Sequence, residues 1–449
     1  MNPTPNARSD PTTRVPYYAL ALLAAGSVLN VMDRQLLAVL IDPIKRELGA
    51  SDAAMGLLTG SSFAALHVLA TIPVAVWADR GVRRSIIAYG LAVWSGLTLL
   101  TGLTRSYAEI FAVRVGVGIA EAAGGGPPQS LISDLVPPER RSTALAILVS
   151  GGPLGSMIAF AVGGWLADLY GWRTAFFVFG APGLLLALLI RFTIDEPKRG
   201  AFDGLPAAAA ATSRPRPDED APIPFRDALL VLLGTPSIRY FVLASAFNAV
   251  GIYSILVWSV PYMTRVHALS TTEAGARLAI ASGLFSALGS FTAGPIADRL
   301  ARRDPRWLAW FPALTSACVF PLGLGFVFAA NGNTASALLA PASFLASSYL
   351  GPVYGAVQTL ADPRTRALAG ALFTTTNAVL GLGLAPPLVG WLNDQGAATR
   401  GADSIRYSLG LILLVHLVAA VLLLRAGATL RKDMSEKAKR GEENRRPLC

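Results

Sequence analysis

The feature that most limits this chain is a succession of about twelve apolar runs, each long enough to cross the hydrocarbon core of a bilayer as a helix. They fall near residues 17–40, 54–78, 86–104, 108–135, 142–168 and 174–194, and again near 238–263, 274–297, 307–330, 334–360, 367–392 and 405–425. A segment in lipid must satisfy its own backbone hydrogen bonds, so only helices or closed barrels span, and runs of this length exclude barrel strands. The expected fold class is an all-α integral membrane protein of twelve transmembrane helices. Composition agrees, with 53% of residues hydrophobic and only 15% charged.

The net charge of +10 is concentrated in short loops between the runs, which marks topology rather than a nucleic-acid surface. Arg80, Arg83 and Arg84 follow the second run, Arg140 and Arg141 the fourth, and Arg299, Arg302, Arg303 and Arg306 the eighth. Arg364 and Arg366 follow the tenth, and the tail carries seven more basic residues between Arg431 and Arg446. By the positive-inside rule both termini and the long connection between runs six and seven are expected in the cytoplasm. The first sixteen residues lack a signal peptide's short apolar region, so the first run is expected to be an uncleaved signal-anchor. The expected domains are a cytoplasmic tail (1–16), a six-helix half (17–194), a flexible linker (195–236), a second half (237–426) and a second cytoplasmic tail (427–449). Two cysteines give no disulfide framework, and three scattered histidines give no metal set. No phosphate loop or nucleophile motif appears, so no cofactor and no enzyme activity are expected. The expected setting is a multi-pass bacterial inner-membrane monomer.

Within the first run lies Val31-Met32-Asp33-Arg34-Gln35. An ionised group at the helix centre costs about 3 kcal/mol on insertion scales, so it must face the protein interior or a wet cavity and find a partner. The fourth run holds Arg114 and Glu121, seven residues apart and therefore two turns apart on one face. Arg34 can pair with either Asp33 or Glu121. A buried carboxylate beside an arginine can exchange partners on protonation, as a proton-coupled carrier requires. The alternative is a permanent ion-pair cluster that joins two helices.

The chain repeats internally. Asp79-Arg80-Gly81-Val82-Arg83-Arg84 recurs as Asp298-Arg299-Leu300-Ala301-Arg302-Arg303, an offset of 219 from residue 79 to residue 298. Gly164-Trp165-Leu166-Ala167-Asp168 recurs as Gly390-Trp391-Leu392-Asn393-Asp394, an offset of 226 from residue 164 to residue 390. Pro138-Glu139-Arg140-Arg141 recurs loosely as Pro363-Arg364-Thr365-Arg366. Three ordered matches at nearly one offset indicate two parallel, pseudo-repeated six-helix halves. The D-R-x-x-R-R loops can act as a latch in which a carboxylate caps a neighbouring helix and pairs with arginine across the gap. Arg114 is grouped with these loop residues as a gating residue. The alternative is that the arginines only fix topology.

The loop pattern and the six-plus-six plan resemble the major facilitator superfamily, whose loop motif is G-x-x-x-D-R-x-G-R-R. The second copy carries its leading Gly294, whereas the first has Ala75 there and Val82 at the later glycine. The fuller pattern resembles the spinster-like branch: Met32-Asp33-Arg34, R-x-x-x-G-x-x-E-A at Arg114–Ala122, Glu196-Pro197-Lys198-Arg199-Gly200, Tyr349-Leu350-Gly351-Pro352-Val353, and Gly381-Leu382-Gly383-Leu384. The resemblance implies the superfamily fold, transport of lysolipids or other amphiphiles, and proton-responsive acids at Asp33 and Glu121 with Arg34 beside them. One departure is Glu121-Ala122-Ala123-Gly124-Gly125-Gly126-Pro127-Pro128, where the branch often has Glu-Ala-Ser-Tyr. Glycine and proline are expected to break this helix just beyond Glu121.

The seventh run carries no matching charge at the repeat position but holds Asn248, Tyr253, Trp258 and Tyr262. With Gln358 and Asn377 these are expected to line a cavity that takes an ionic head at Arg34 and an apolar body against aromatic walls. The alternative for each is an interhelical hydrogen bond. Gly151-Gly152-Pro153-Leu154-Gly155 resembles a glycine-proline motif of superfamily antiporters. The expected function is proton-coupled secondary transport of a small amphiphilic or lipid-like substrate by alternating access. The alternatives are an organic-anion symporter and a passive lipid scramblase or sensor.

Overall fold

The computed structural model describes residues 17–199, 225–362 and 365–443. The predicted N-terminal tail, most of the predicted linker, Pro363 and Arg364 of the loosely repeated loop, and the tail beyond residue 443 lie outside the described residues. The side chains of Pro138 and Glu139 do too. What is described is almost wholly helical.

The first half comprises span 1 (Tyr17–Val39), span 2 (Asp52–Thr59 continued by Ser61–Arg80) and span 3 (Arg83–Thr101). Span 4 runs through Tyr107–Glu121 and Gly126–Leu135, span 5 through Pro138–Val149 and Gly151–Tyr170, and span 6 is Trp172–Thr193. A short helix, Ile41–Leu48, lies between spans 1 and 2. The second half comprises span 7 (Pro236–His267), span 8 (Thr271–Leu278 to Phe285–Ala301), span 9 (Trp307–Val327) and span 10 (Gly332–Ser347 with Leu350–Leu360). Span 11 runs from Arg366–Thr376 to Ala385–Arg400, and span 12 from Ser404–Ile412 into Val415–Glu443. Eight helical stretches among the described residues are long and apolar enough to cross a membrane. Spans 4 and 10 are broken mid-way, span 3 starts on two arginines, and residues 368–437 fold back on themselves at 401–403. These features bring the crossings to twelve.

Local chemistry explains the ends. Ser51, Ser106 and Asn331 each accept a hydrogen bond from the backbone N–H three residues on, and Ser270 with Glu273 forms a full capping box. All four start helices at the face opposite the two chain ends, called here the opposite face; the other is the terminal face. Gly171 turns span 5 into span 6 at φ +82°, a conformation that favours glycine.

Two boundaries differ from the sequence expectation. Phe225–Gly234 is a helix inside the expected linker, with Ala228 and Leu232 buried and Leu230 and Val231 exposed. The second helix of span 12, Val415–Glu443, runs past residue 426, so the expected tail begins as helix. Asp433 Oδ2 accepts the Ser237 N–H at 2.9 Å, and Lys437 donates to the Thr359 carbonyl at 2.5 Å, which ties this extension to spans 7 and 10.

The halves meet mainly through spans 2 and 11, and through spans 5 and 8. Glycine makes the approach possible: a Cβ on Gly56 would lie 2.4 Å from the Pro386 carbonyl oxygen, and one on Gly275 would lie 2.1 Å from that of Phe160.

Candidate functional site

Two charged layers are built from these spans. The first is buried in the first half. Asp33 of span 1 accepts from Arg114 Nη1 at 2.8 Å and from Thr98 Oγ1 at 2.7 Å, and Arg114 is itself fully buried. Adjacent residues on a helix point about 100° apart, so Arg34 leaves Asp33 and turns to Glu121. Its Nε lies 3.4 Å from Glu121 Oε2, one of its nitrogens donates to Asn30, and its guanidinium sits 5.2 Å from the Phe63 ring centre. Arg34 keeps 30% of its side-chain surface exposed, whereas Glu121 keeps none. Among the described residues neither Glu121 oxygen accepts a hydrogen bond.

His67 of span 2 joins this layer. Its ring stacks on Phe63 at 4.9 Å, and its Nδ1 donates to the Gly118 carbonyl at 3.1 Å. Glycine at 118 matters, since a Cβ there would lie 2.8 Å from the Phe63 carbonyl oxygen. The break beyond Glu121 falls where the glycines and prolines are, with a 3₁₀ turn at Ala122–Gly124 before the helix restarts at Gly126.

The expected second-half residues separate. Tyr253 packs against Phe63, Ala64 and Leu382, across the junction of the halves. Asn377 donates to Ser245 Oγ at 2.9 Å, and its buried Oδ1 has no partner among the described residues. The other four serve elsewhere, Tyr262 by donating to the Phe326 carbonyl at 2.7 Å. Asn248 donates to Ser316 and accepts from His416 Nδ1 at 2.8 Å, inside the second-half bundle. Trp258 is fully buried and donates to the Pro386 carbonyl at 3.1 Å. Gln358 reaches the Arg366 carbonyl at the terminal end of span 10. Each makes an interhelical or local hydrogen bond, the alternative that the sequence left open.

The repeated D-R-x-x-R-R loops also divide. Asp79, Arg80, Asp298, Arg299, Arg302 and Arg303 are exposed, and among the described residues none makes an ion pair. Arg83 is instead a buried hub. It donates to Asp134 of span 4 at 2.5 Å, to Glu196 after span 6 at 2.8 Å, and to Ser130. Glu196 also caps span 3 through the Arg84 N–H at 2.9 Å, and the Arg84 side chain donates to the Ile194 carbonyl. Arg199 closes the end of span 2 by donating to the Ala78 and Gly81 carbonyls. This network ties the first half to itself at the terminal face and does not reach the second.

The second charged layer was not foreseen. At the opposite face Arg265, in the last turn of span 7, donates to Asp42 Oδ1 at 2.9 and 2.6 Å. The same guanidinium donates to Asp52 Oδ2 at 2.5 Å and Oδ1 at 3.0 Å. Lys45 adds a second cation on Asp52 at 2.5 Å, and Thr264 donates to Asp42 at 2.8 Å. One second-half guanidinium thus holds two first-half carboxylates. A cavity of about 610 Å³ lies over the network. The sequence signal for it is Arg265 near the end of span 7; its partners are set by packing.

Among known proteins, the family model "Major Facilitator Superfamily" matches residues 23–386. An "MFS-type efflux pump" of Mycolicibacterium smegmatis is 34% identical over 423 residues, covering 94% of this chain and 95% of the pump. A "probable galactarate/D-glucarate transporter" of Bacillus subtilis is 25% identical over 92% of this chain and 94% of its own. The "sphingosine-1-phosphate transporter SPNS2" of Danio rerio is 32% identical over a shorter stretch, 42% of this chain and 38% of its own. Among solved structures, a bacterial homologue of the human lysosomal transporter Spinster, inward-facing and unoccupied, superposes with a TM-score of 0.83 at 28% identity. That match covers 94% of this chain and 99% of the homologue. The occupied inward-facing form of that homologue gives a TM-score of 0.81.

Proposed function

The chain belongs to the major facilitator superfamily and is a spinster-like membrane transporter, and from that premise we propose that it is a proton-coupled secondary carrier for a small amphiphile with an anionic head. The observation that carries this reading is Glu121: fully buried, unbonded at both oxygens, and 3.4 Å from the half-open Arg34. With Glu121 ionised, Arg34 is held to it. With Glu121 protonated, the carboxyl can donate toward the neighbouring Asp33, and Arg34 is released to an anionic substrate group. Proton binding at Glu121 and anion binding at Arg34 then favour each other, and that mutual dependence is the coupling a proton-linked carrier needs.

The two faces support alternating access by rocking of the halves. The opposite face is closed by Arg265 on Asp42 and Asp52, while Arg80, Arg299, Arg302 and Arg303 at the terminal face are exposed and, among the described residues, make no ion pair. The basic loops lie at the terminal face, which supports a cytoplasmic assignment for it and for both ends of the chain. On that assignment we read the closed face as the one away from the cytoplasm. Phe63, Tyr253 and Leu382 offer an apolar wall beside Arg34.

A second reading, an organic-anion carrier, is favoured by the open Arg34 guanidinium and by the sugar-acid transporter relative. One experiment separates the two. Purified protein in liposomes loaded with a pH-sensitive dye is challenged with lysolipids, sphingoid bases and hydroxy acids, alongside Asp33→Asn and Glu121→Gln. Dye response to an amphiphile that both variants lose supports the first reading, and response to hydroxy acids alone supports the second. Ligand binding without any proton movement would end both.

A further inference from the structure

Under the internal repeat, the offset of 219 that takes Asp79 to Asp298 also takes Asp52 to Thr271, Ala53 to Thr272 and Gly56 to Gly275. The offset of 226 takes Phe160 to Pro386, Gly164 to Gly390 and Asp168 to Asp394. The contacts between the halves obey both. Asp168, at the end of span 5, accepts the Thr272 N–H at 2.7 Å at the start of span 8. Asp394, toward the end of span 11, accepts the Asp52 and Ala53 N–H groups at 3.0 and 2.8 Å at the start of span 2. One turn earlier, a Cβ on Gly164 would lie 2.4 Å from the Thr271 carbonyl oxygen, and one on Gly390 would lie 2.2 Å from that of Asp52. One turn further down, Gly275 meets Phe160 and Gly56 meets Pro386 in the same way.

We infer that the two G-W-L-x-D segments are a matched pair of helix-cap clasps that hold the opposite face closed, with Asp168 and Asp394 as positioning residues of the transport cycle. The tryptophans are not part of it, since Trp165 and Trp391 are both half exposed on the outer surface. The physics is that of an N-cap supplied from another helix. Four N–H groups at a helix start have no partner within the helix, and a carboxylate there gains both their hydrogen bonds and the helix dipole. Because each carboxylate sits on one half and each helix start on the other, the bonds exist only while the face is shut. The glycines set how close the helices come, and so whether the carboxylate reaches. This rests on the alternating-access reading above and adds to it the element that sets the balance between its states.

The two clasps differ in one respect that can be tested. Asp168 uses a single oxygen, Oδ2, for both the Thr272 N–H and the Thr272 hydroxyl. Asp394 uses both oxygens, one for each N–H. An asparagine has one acceptor oxygen, so Asp168→Asn can keep its bonds and Asp394→Asn cannot.

The test measures spin-label distances in the full chain with Cys318 and Cys449 changed to serine. A pair at Ala108 and Ala330 reports the opposite face, and a pair at Val82 and Thr359 the terminal face. The expected result is that Gly164→Ala, Gly390→Ala, Asp168→Ala and Asp394→Asn each lengthen the first distance and shorten the second. Asp168→Asn, which keeps its bonds and loses only the attraction to the helix dipole, should move the distances far less than Asp394→Asn, and the control Gly152→Ala, where a Cβ meets nothing within 4 Å, should match wild type. Wild-type distances in every variant, or equal effects of the two asparagine substitutions, would overturn the inference. Should the alanine variants fail to fold, the asparagine pair alone decides. The wild type is also measured in acidic and neutral buffer with and without the transported compound. A rigid wild type defeats alternating access itself, whereas a mobile wild type with unresponsive variants defeats only the clasps.

Discussion

Arg114 shows how much of the site depends on single partners. It is fully buried, and its contact with Asp33 is reinforced on the far side by Thr98. Removing one member of a buried pair strands the other charge, at a cost of about 3–5 kcal/mol, while removing both can be nearly neutral. Arg114→Ala should therefore lower the unfolding temperature sharply, and Arg114→Ala combined with Asp33→Asn should recover much of the loss. A thermal melt of the detergent-solubilised protein checks this; losses that simply add would mean the pair contributes nothing through its contact. The acids and arginines of this layer were legible from residue type alone, because charges in an apolar run demand an explanation. Their pairing was not. Seven residues put Arg114 and Glu121 on one face, but about 10 Å apart along the helix, so each meets a different neighbour on span 1. Asn248 and Gln358 show the converse: a polar residue in a span looks the same in sequence whether it faces a cavity or a neighbouring helix.

At the scale of elements, the short helix Ile41–Leu48 is tethered to span 6 through Glu47. That carboxylate accepts from Trp172 Nε1 at 2.6 Å and from Arg173 Nη1 at 2.5 Å, and Arg173 stacks 4.2 Å over the Trp172 ring. The Trp172 hydrogen bond, helped by Arg173, holds the Glu47 pKa below its ordinary value of 4.5. A depressed folded-state pKa gives stability that is present above the unfolded value and lost as pH falls through the folded one. Wild type should lose melting temperature on acidification below that ordinary value, and Glu47→Gln should lose less over the same range. The effect is small because Glu47 is largely exposed; an identical acid slope in the two proteins would place the tether's worth elsewhere. The helix order was legible because apolar length dictates spans. The breaks were legible only in part. Glycine and proline marked the one after Glu121, and Gly381, Gly383 and Pro386-Pro387 stand at the π-helical stretch Asn377–Leu384, but the π-helical stretch Ala279–Leu284 offers only Gly283. Phe225–Gly234 was hidden because its apolar period is short and its upstream flank is rich in proline and acid.

For the whole molecule, closure of the opposite face rests on one ion-paired layer as well as on helix packing and the two aspartate caps. Arg265 is the cation through which the second half grips the carboxylates of the first: it engages Asp42 and Asp52 with four hydrogen bonds, and Lys45 belongs to the same half as both. An ammonium cannot reproduce that fork, since it is a point charge on a flexible stem. Arg265→Ala removes this attraction between the halves and leaves Asp42 and Asp52, both of the first half, with Lys45 as the remaining charged partner. The same spin-label pair at Ala108 and Ala330 should lengthen in Arg265→Ala and take an intermediate value in Arg265→Lys. High salt should lengthen it modestly in wild type and hardly at all in Arg265→Ala, because the contact is partly exposed and screening acts on it alone. A wild-type distance in Arg265→Ala would mean that the close packing of spans 2 with 11 and 5 with 8 suffices to keep the face shut, and that the charge layer tunes selectivity at the mouth rather than the balance of states.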